Sequence, residues 1–268
     1  MEPLIRTEID RHYSELYDES ERLAANSFNR LEFIRTKELI LRFLADQLTS
    51  VIDIGGGPGA YALWLSELGH EVTLIDPVAR HVEQARISGV SRAQVGEAGF
   101  LDFKDQAFDH ALLLGPLYHL QQHTERLAAL TEARRVLKPG GFLFAAGITR
   151  FASAIDGLYN GTIDDPAFGQ IVTVDLETGR HSNTTANPKY FTTAYFHRPD
   201  ELASELSAAG FQNVEVFAVE GVSWAAPDLD DRVADPVKLA AMLDLLKRLE
   251  SEPSILGASP HFLAVGRA

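Results

Sequence analysis

Short apolar runs alternate with amphipathic segments along most of this chain. The apolar runs predict strands at 50–54, 71–76, 92–96, 107–114 and 141–147, and the segments between them predict helices at 59–68, 78–86 and 123–137. The run at 107–114 is apolar on both faces, as expected of a central parallel strand. This alternation predicts a doubly wound α/β sheet, mostly parallel, with helices on both faces.

The alternation is interrupted between residues 149 and 198. We expect no long helix there, only short strands at 171–176 and 190–196, and we interpret the segment as an inserted lid that contacts substrate. The alternation then resumes with a helix at 199–209, a strand at 214–219, a helix at 235–250 and a final strand at 261–265. Residues 7–47 look helical. One domain is expected, with N-terminal helices (1–48), a cofactor-binding core (49–148), the insertion (149–198) and the C-terminal part of the core (199–268).

The first strand runs into a glycine-rich turn at 55–59 that opens a helix. Glycine lacks a Cβ, so the backbone can turn tightly and a ligand can approach it, while the helix directs its unpaired N–H groups at that ligand. About twenty residues later the second strand ends on Asp76, whose carboxylate is placed to accept hydrogen bonds from ribose hydroxyls. These features predict a site for a nucleoside cofactor.

Two kinds of nucleoside cofactor fit this spacing. The pattern Gly55-x-Gly57-x-x-Ala60 followed by an acid satisfies the looser signature of dinucleotide sites. Three features speak against a dinucleotide: the Pro58-Gly59 step with Asp53 inside the strand, about fifty helix-like residues ahead of that strand, and a lysine-proline-glycine-glycine turn at 138–141.

Together, Asp53-x-Gly55-x-Gly57-x-Gly59 and the turn at 137–141 resemble the first motif and the strand-five turn of the class I S-adenosylmethionine (SAM) dependent methyltransferases. The resemblance covers about residues 30–150. It implies SAM as the cofactor and a Rossmann-like sheet of seven strands, mostly parallel, that closes with an antiparallel C-terminal strand. The cofactor residues that it implies are Asp53, Gly55, Gly56, Gly57, Gly59, Asp76, Pro77, Glu97, Ala98, Leu114 and Arg35.

Several of these implied roles have a structural alternative. Asp53 would hold the ammonium group of SAM or cap the loop, and Asp76 would bind the ribose, cap the following helix, or both. Glu97 stands where the family usually has aspartate, so its contact with adenine is open. Leu114 would cover the adenine or the homocysteine chain.

A cation for the SAM carboxylate is the least determined part of the implied site. Arg35 resembles a position that the family uses in this way. Arg22 and Arg30 are rivals, and a solvated helix face is the alternative for all three.

The loop at 115–123 follows the fourth strand and would border the methyl group. His119 is the candidate general base, since an imidazole accepts a proton near neutral pH, and a packing or capping histidine is the alternative. Tyr118 would orient substrate or close over the cofactor. His119 and His123 share a helix face, but no third ligand lies at a recognised spacing, so no metal is expected.

The sequence predicts little about the identity of the substrate. Tyr195, His197 and His181 in the insertion, and Trp224 after the late strand, are the candidate substrate-binding residues. Aromatic walls suit a planar or apolar acceptor, although the same residues could form the insertion's own core.

Charge and composition limit the partners. The 268 residues carry a formal net charge of −14, which would repel a phosphate backbone and makes nucleic acid an unlikely partner. There are no cysteines, which excludes disulfides and thiolate metal sites. Neither a signal peptide nor an apolar run long enough to cross a bilayer is evident, so we expect a cytoplasmic protein without a membrane partner, as a monomer or homodimer.

The leading hypothesis is therefore a SAM-dependent methyltransferase that modifies an oxygen or nitrogen atom, with carbon as a third option, of a small metabolite. The alternative is a SAM-binding protein that uses the cofactor for regulation or for another reaction. An NAD-dependent oxidoreductase is a weaker alternative.

Overall fold

The computed structural model describes residues 19–44, 47–185 and 187–268. Seven of the strands in these ranges form one sheet of order β3-β2-β1-β4-β5-β9-β8, and β6 and β7 form a separate pair. The strands are β1 (Ser50–Ile54), β2 (Glu71–Asp76), β3 (Arg92–Val95), β4 (Phe108–Leu113), β5 (Leu137–Ile148), β6 (Arg180–His181), β7 (Ala194–Tyr195), β8 (Gln212–Ala218) and β9 (His261–Arg267).

The large sheet is parallel except at β9. Strands β3, β2, β1, β4 and β5 pair in parallel with their neighbours, whereas β9 lies antiparallel between β5 and β8. The predicted sheet of seven strands with an antiparallel C-terminal strand is confirmed.

Helices connect the strands. They are α1 (Ser27–Leu41), α2 (Ala60–Glu67), α3 (Ala79–Ile87), α4 (Pro116–His119), α5 (His123–Val136), α6 (Ala152–Asn160), α7 (Pro166–Thr178), α8 (Pro199–Ala208), α9 (Leu229–Ala234), α10 (Pro236–Leu249) and α11 (Pro253–Leu256). None of the helices in the described ranges combines the length and the apolar character that a bilayer span requires.

Successive side chains of a strand point to opposite faces of the sheet, and here the side chains on both faces are buried. On β1, Ile52 and Ile54 belong to one apolar cluster and Val51 belongs to the other. The same division separates Leu113 from Leu112 on β4. Helices therefore cover both faces, as a doubly wound sheet requires.

The N-terminal region differs from the single helical stretch predicted for 7–47. Residues 1–18 and 45–46 lie outside the described residues. A 3-10 helix covers Glu19–Ala24, and α1 begins after Asn26, whose side chain accepts a hydrogen bond from the backbone N–H of Asn29 at 2.9 Å. This cap gives α1 its own start, because it satisfies a backbone donor that a continuous helix would pair internally.

The prediction for the inserted segment was wrong in its main feature. Residues 171–176, predicted as a strand from their β-branched side chains, lie in the middle of α7. The buried residues of α7 are Phe168, Ile171, Val172 and Asp175, which is the i, i+3, i+4, i+7 spacing of one helix face. Asp165 caps the start of α7, and Gly179 ends it in the left-handed conformation. These two helix ends decide the structure of the segment, although its β-branched residues favour a strand.

The second strand predicted in the insertion is much shorter than expected. Of residues 190–196, only Ala194–Tyr195 form a strand, which pairs with Arg180–His181. Tyr190 ends a 3-10 helix and Phe191 has a φ of +59°, a conformation that interrupts an extended run.

One edge of the large sheet gathers the chain segments that form the site described below. The parallel strands β1, β2, β4 and β5 all end there. Because β9 is antiparallel, its first residue, His261, pairs with Ile148 at the end of β5. The end of β8 reaches the same edge, where Ala218 pairs with Phe262.

Candidate functional site

A cavity of about 560 Å³ opens at the carboxyl edge of the parallel strands. It is lined by the glycine turn after β1, the end of β2, the loop after β3 and helix α4 after β4. The N-terminal segment that contains Glu19 and Arg22, helix α1 and the start of β9 line its other end. Ligands in open α/β sheets bind at this edge, so the cavity is the candidate site.

The glycine turn is held against the second strand. The backbone N–H groups of Gly55 and Gly56 both donate to the carbonyl of Ile75, at 2.7 and 3.2 Å. Gly55 has a φ of +68°, and a Cβ built there would lie 2.4 Å from Cγ of Pro116. A side chain at this position would therefore push α4 away from the turn.

Gly57 has a different reason to be glycine. Its φ is +56°, which disfavours other residues, but a Cβ there would meet only Cγ of Glu19, at 3.7 Å. The backbone at Gly57 thus faces open space in the cavity and is accessible to a ligand. Gly59 precedes α2, so the unpaired N–H groups at the start of α2 lie at the cavity wall.

Asp76 fastens the turn from the end of β2. Its Oδ2 accepts a hydrogen bond from the N–H of Gly57 at 2.9 Å, and its Oδ1 accepts one from the N–H of Val78 at 2.9 Å. Nδ1 of His81 lies 3.1 Å from the same Oδ1. Asp76 is not the N-cap of α3, which is Val78 and has no side-chain cap, but it holds the backbone N–H of Val78 and lines the cavity.

Asp53 lies directly beneath the turn. A Cβ built on Gly56 would be 2.5 Å from Oδ2 of Asp53, an oxygen that is buried and has no hydrogen-bond partner. Burial, reinforced by the charge of Asp76, raises the pKa of Asp53 to about 7. A buried acceptor without a donor at the cavity wall is suited to a cationic group of a ligand.

The predicted base-contacting residues lie on the same side of the cavity. Pro77 after β2, Glu97 and Ala98 after β3, and Leu114 after β4 all line it. Glu97 is exposed, and its backbone forms an isolated bridge with Phe100.

Tyr118 and His119 also line the cavity, from α4. Their ring centroids are 4.8 Å apart, and the ring of Phe191 lies 6.3 Å from that of His119. The structure thus brings both candidate catalytic residues to the cofactor cavity, although their roles remain predictions.

Arg35 does not reach the cavity. Its side chain is buried, its Nε donates to the carbonyl of Val219 at 3.2 Å, and its Nη2 pairs with Glu250 at 2.5 Å. We therefore correct its proposed cofactor contact: Arg35 joins α1 to the segment after β8. Of its two rivals, Arg22 lines the cavity and Arg30 is exposed elsewhere on α1.

Two of the four predicted substrate-binding residues are hydrogen-bonded to buried carboxylates and are not in the cavity lining. His181 has Nδ1 2.9 Å from Asp175 and Nε2 2.7 Å from the carbonyl of Tyr190. Nε2 of His197 lies 3.3 Å from Oε2 of Glu205. These residues hold the insertion together, which is the structural alternative that the sequence left open.

Tyr195 and Trp224 likewise lie outside the cavity lining. The guanidinium of Arg126 stacks 3.7 Å from the ring centre of Tyr195. Nε1 of Trp224 donates to the carbonyl of Ala258 at 2.9 Å. The expectation that these residues form the acceptor wall is therefore corrected for Tyr195, His197 and His181 of the insertion and for Trp224 after β8.

A row of charged residues, of which the sequence analysis named only Arg22, reaches the cavity through Glu19, Arg22, Glu32 and His261. Arg22 donates from Nη1 and Nη2 to the two oxygens of Glu32, at 2.7 and 2.9 Å, and from Nε to Glu19 at 2.6 Å. His261 has Nδ1 2.6 Å from Oε1 of the buried Glu220. We call Glu19, Arg22, Glu32, Glu220 and His261 the charged row.

Sequence reasoning had little chance of finding the charged row. Its members come from the N-terminal segment, α1, the residues after β8 and the start of β9, so only the tertiary structure brings them together. Glu19, Arg22 and Glu32 look like an ordinary solvated helix face in sequence. The one available signal was that His261 opens the strand that closes the sheet.

Comparisons with known proteins identify the family that this chain resembles. The profile of a family described as "Methyltransferase domain" matches residues 52–145. The ubiquinone/menaquinone biosynthesis C-methyltransferase UbiE of Acidiphilium cryptum (strain JF-5) is 31% identical over 186 residues, 64% of this chain and 70% of that protein. A ubiquinone biosynthesis O-methyltransferase of Xylella fastidiosa (strain M23) is 28% identical and covers 65% of each chain.

A solved structure shares the fold over nearly the whole length. It is a SAM-dependent methyltransferase, possible histamine N-methyltransferase, from Thermotoga maritima, with a TM-score of 0.59 and 21% identity, covering 98% of this chain and 99% of that one. At this identity the likeness supports the fold alone.

Proposed function

This chain belongs to the class I SAM-dependent methyltransferases, and from that premise we propose that it transfers the methyl group of SAM to an oxygen, nitrogen or carbon atom of a small metabolite. The observation that carries the proposal is a shared cavity. The glycine turn, Asp53 and Asp76 face the same space as Tyr118 and His119. A cofactor held by the first group would present its reactive end toward the second.

The residues present fit SAM. The open backbone at Gly57 and the buried acceptor on Asp53 would take the methionine part, the latter toward its ammonium group. Asp76 would bind the ribose, and Ala98 and Leu114 would cover the adenine. Arg22 is the cavity cation that we assign to the SAM carboxylate in place of Arg35.

Bound SAM would supply an electrophilic methyl group on a sulfonium. An acceptor atom would attack the methyl carbon in line with its bond to sulfur, and S-adenosylhomocysteine would leave. The chain would contribute the alignment of the two molecules and the exclusion of water from the reacting atoms. His119 would accept a proton where the acceptor atom must lose one, and Tyr118 would orient the acceptor.

A small acceptor is supported by the relatives and by the charge. The names of the relatives place them in the biosynthesis of ubiquinone and menaquinone, with methylation at carbon or at oxygen. The net charge of −14 opposes binding to a phosphate backbone. We extend the small-molecule acceptor to this chain on those grounds, and leave the methylated atom to experiment.

The test is product formation. The protein is incubated with methyl-labelled SAM and a panel of phenols, enols, amines and quinone precursors, and S-adenosylhomocysteine and labelled product are followed by mass spectrometry. The proposal predicts that the two appear in equal amounts for at least one acceptor, with unlabelled SAM competing. Tight SAM binding without S-adenosylhomocysteine release across the panel would instead favour the non-methylating alternative.

A further inference from the structure

His261 and Glu220 are placed at the active edge of the sheet by topology. His261 is the first residue of β9 and pairs with Ile148 at the carboxyl end of β5. Glu220 lies two residues beyond the end of β8, which pairs with β9. The two side chains are 41 residues apart in sequence and meet beside the cavity, which His261 lines.

Glu220 fixes the orientation of the imidazole. Its Oε1 lies 2.6 Å from Nδ1 of His261, and its Oε2 accepts the backbone N–H of the same residue at 3.0 Å. Glu220 is fully buried, whereas a quarter of the His261 side chain is exposed and lines the cavity. Because Glu220 occupies Nδ1, Nε2 is the ring nitrogen left for a ligand.

The surroundings keep this ring protonated. Burial alone would lower the pKa of His261, but the charges of Glu220 and Glu32 and the hydrogen bond to Glu220 raise it to about 9, against a smaller opposing effect of Arg22. At neutral pH Nε2 therefore carries a proton and acts as a hydrogen-bond donor.

The other cation of the charged row, Arg22, is the one that we assign to the SAM carboxylate. Three of its five N–H groups already donate to carboxylates, one from Nε to Glu19 and one from each Nη to Glu32. With the remaining N–H groups assigned to the cofactor, His261 is the cation of the charged row that is left to donate to an acceptor.

Glu32, Glu220 and His261 could also surround a metal ion, since one ligand atom from each lies within 4.8 Å of the others. The described contacts argue against this use. Both oxygens of Glu32 are held by Arg22, and a metal would have to displace the proton from an imidazole whose neighbours retain it.

We infer that His261, oriented by Glu220, is the group that binds the methyl acceptor, and that the acceptor is a phenol or an enol whose oxygen accepts the hydrogen bond from Nε2. This inference rests on the proposed function and specifies its substrate class. The acceptor enters as the neutral phenol or enol and, once bound, gives its hydroxyl proton to His119, which leaves the nucleophilic anion to accept the hydrogen bond from His261.

The side chains around His261 favour a phenol or an enol over a protonated amine or a carboxylate as the acceptor. A protonated amine would bring N–H groups against the N–H of His261. A carboxylate acceptor would enter the cavity already charged and would lie beside Glu19 and Glu32. A phenol can enter neutral, and its ring suits the aromatic walls formed by Tyr61, Tyr118 and His119.

The test measures how the protein changes the acidity of a bound probe. 4-Nitrophenol is titrated into the protein saturated with S-adenosylhomocysteine, and the visible absorbance of its phenolate is followed against pH. We expect the bound phenol to have a lower pKa than the free phenol and to bind more tightly than 4-nitroaniline. His261→Gln should abolish the pKa shift and weaken binding about tenfold or more, as loss of one charged hydrogen bond implies.

Two further variants separate the role of the ring charge from that of the fold. Glu220→Gln should reduce the shift, because it removes one of the two charges that keep the ring protonated. His123→Gln, at a largely exposed position outside the cavity lining, is the matched control and should leave binding unchanged. If His261→Gln does not fold, Glu220→Gln carries the comparison.

Distinct results would overturn the inference. These are a shift that persists in both cavity variants, aniline binding as tight as phenol binding, or no binding of 4-nitrophenol, catechol or 2-naphthol. Loss of binding in EDTA that zinc restores would identify the charged row as a metal site instead. Failure to bind S-adenosylhomocysteine would count against the proposed function and is measured separately by calorimetry.

Discussion

At the residue scale, Asp53 combines a ligand-binding position with an unfavourable environment for its charge. The folded protein raises its pKa from an ordinary 3.8 to about 7, chiefly by burial. Folding therefore favours the protonated acid. The stability that the neutral acid contributes is complete below about pH 4 and is lost as the pH rises through about 7.

Asp53→Asn should remove this pH dependence in the cofactor-free protein. At pH 8 we expect the variant to be more stable than the wild type by on the order of a few kcal/mol, with the difference vanishing near pH 4. SAM affinity should fall in the same variant, since the ammonium loses its counter-charge. Urea unfolding between pH 4 and 8 measures the first effect and calorimetry the second. Parallel stability curves for the two proteins would contradict the account.

Asp76→Ala should weaken SAM binding by about 1–3 kcal/mol, from the lost ribose hydrogen bonds and from a looser glycine turn. The turn loosens because Asp76 holds the N–H groups of Gly57 and Val78. Asp102→Ala, at an exposed site outside the cavity lining, is the control. An unchanged dissociation constant for SAM would mean that other groups hold the ribose.

His119→Ala should lower kcat by about 10²–10⁴-fold if His119 removes a proton from the acceptor, with SAM affinity near that of the wild type. The measurement is steady-state turnover at saturating acceptor, beside calorimetry with SAM. Unchanged turnover would assign His119 to packing against Tyr118 and Phe191.

At the element scale, helix α7 shows why local propensity misled the prediction for the insertion. Its Ile, Val and Thr residues favour a strand when considered alone, but Asp165, Pro166 and Gly179 provide helix ends on both sides. The helix then buries one face against its own neighbours, among them Tyr190. No residue of α7 is in the cavity lining.

Asp165→Ala should therefore lower stability without impairing catalysis. Its carboxylate accepts the N–H of Ala167 at 2.8 Å and the hydroxyl of Tyr190 at 2.6 Å. We expect a lower free energy of unfolding and an unchanged kcat, measured by thermal unfolding and by turnover below the transition. Asp164→Ala, exposed one residue earlier, is the control. A specific fall in kcat would restore the insertion as a substrate contact.

At the scale of the whole molecule, the site divides into a half that sequence can predict and a half that it cannot. The glycine turn, Asp53 and Asp76 lie within one strand-turn-helix-strand unit, so their spacing in the sequence is enough to predict a cofactor site. The charged row is assembled from segments more than 200 residues apart, such as Arg22 and His261. Arg35 was misassigned for the same reason, because its partner Glu250 is distant in sequence.

The sheet connects these two halves. Strands β1, β2, β4 and β5 deliver the cofactor residues to one edge, and the antiparallel β9 brings His261 to that edge from the C-terminal part of the chain. The alternating pattern predicted a mostly parallel doubly wound sheet, and the family resemblance implied seven strands with an antiparallel C-terminal strand. They could not predict which distant side chains would close the cavity.

The most direct test of the central claim is titration calorimetry of the purified protein with SAM and, side by side, with NAD. The account predicts saturable one-to-one binding of SAM, weakened by Asp76→Ala, and no measurable binding of NAD. Tight binding of NAD without binding of SAM would contradict it.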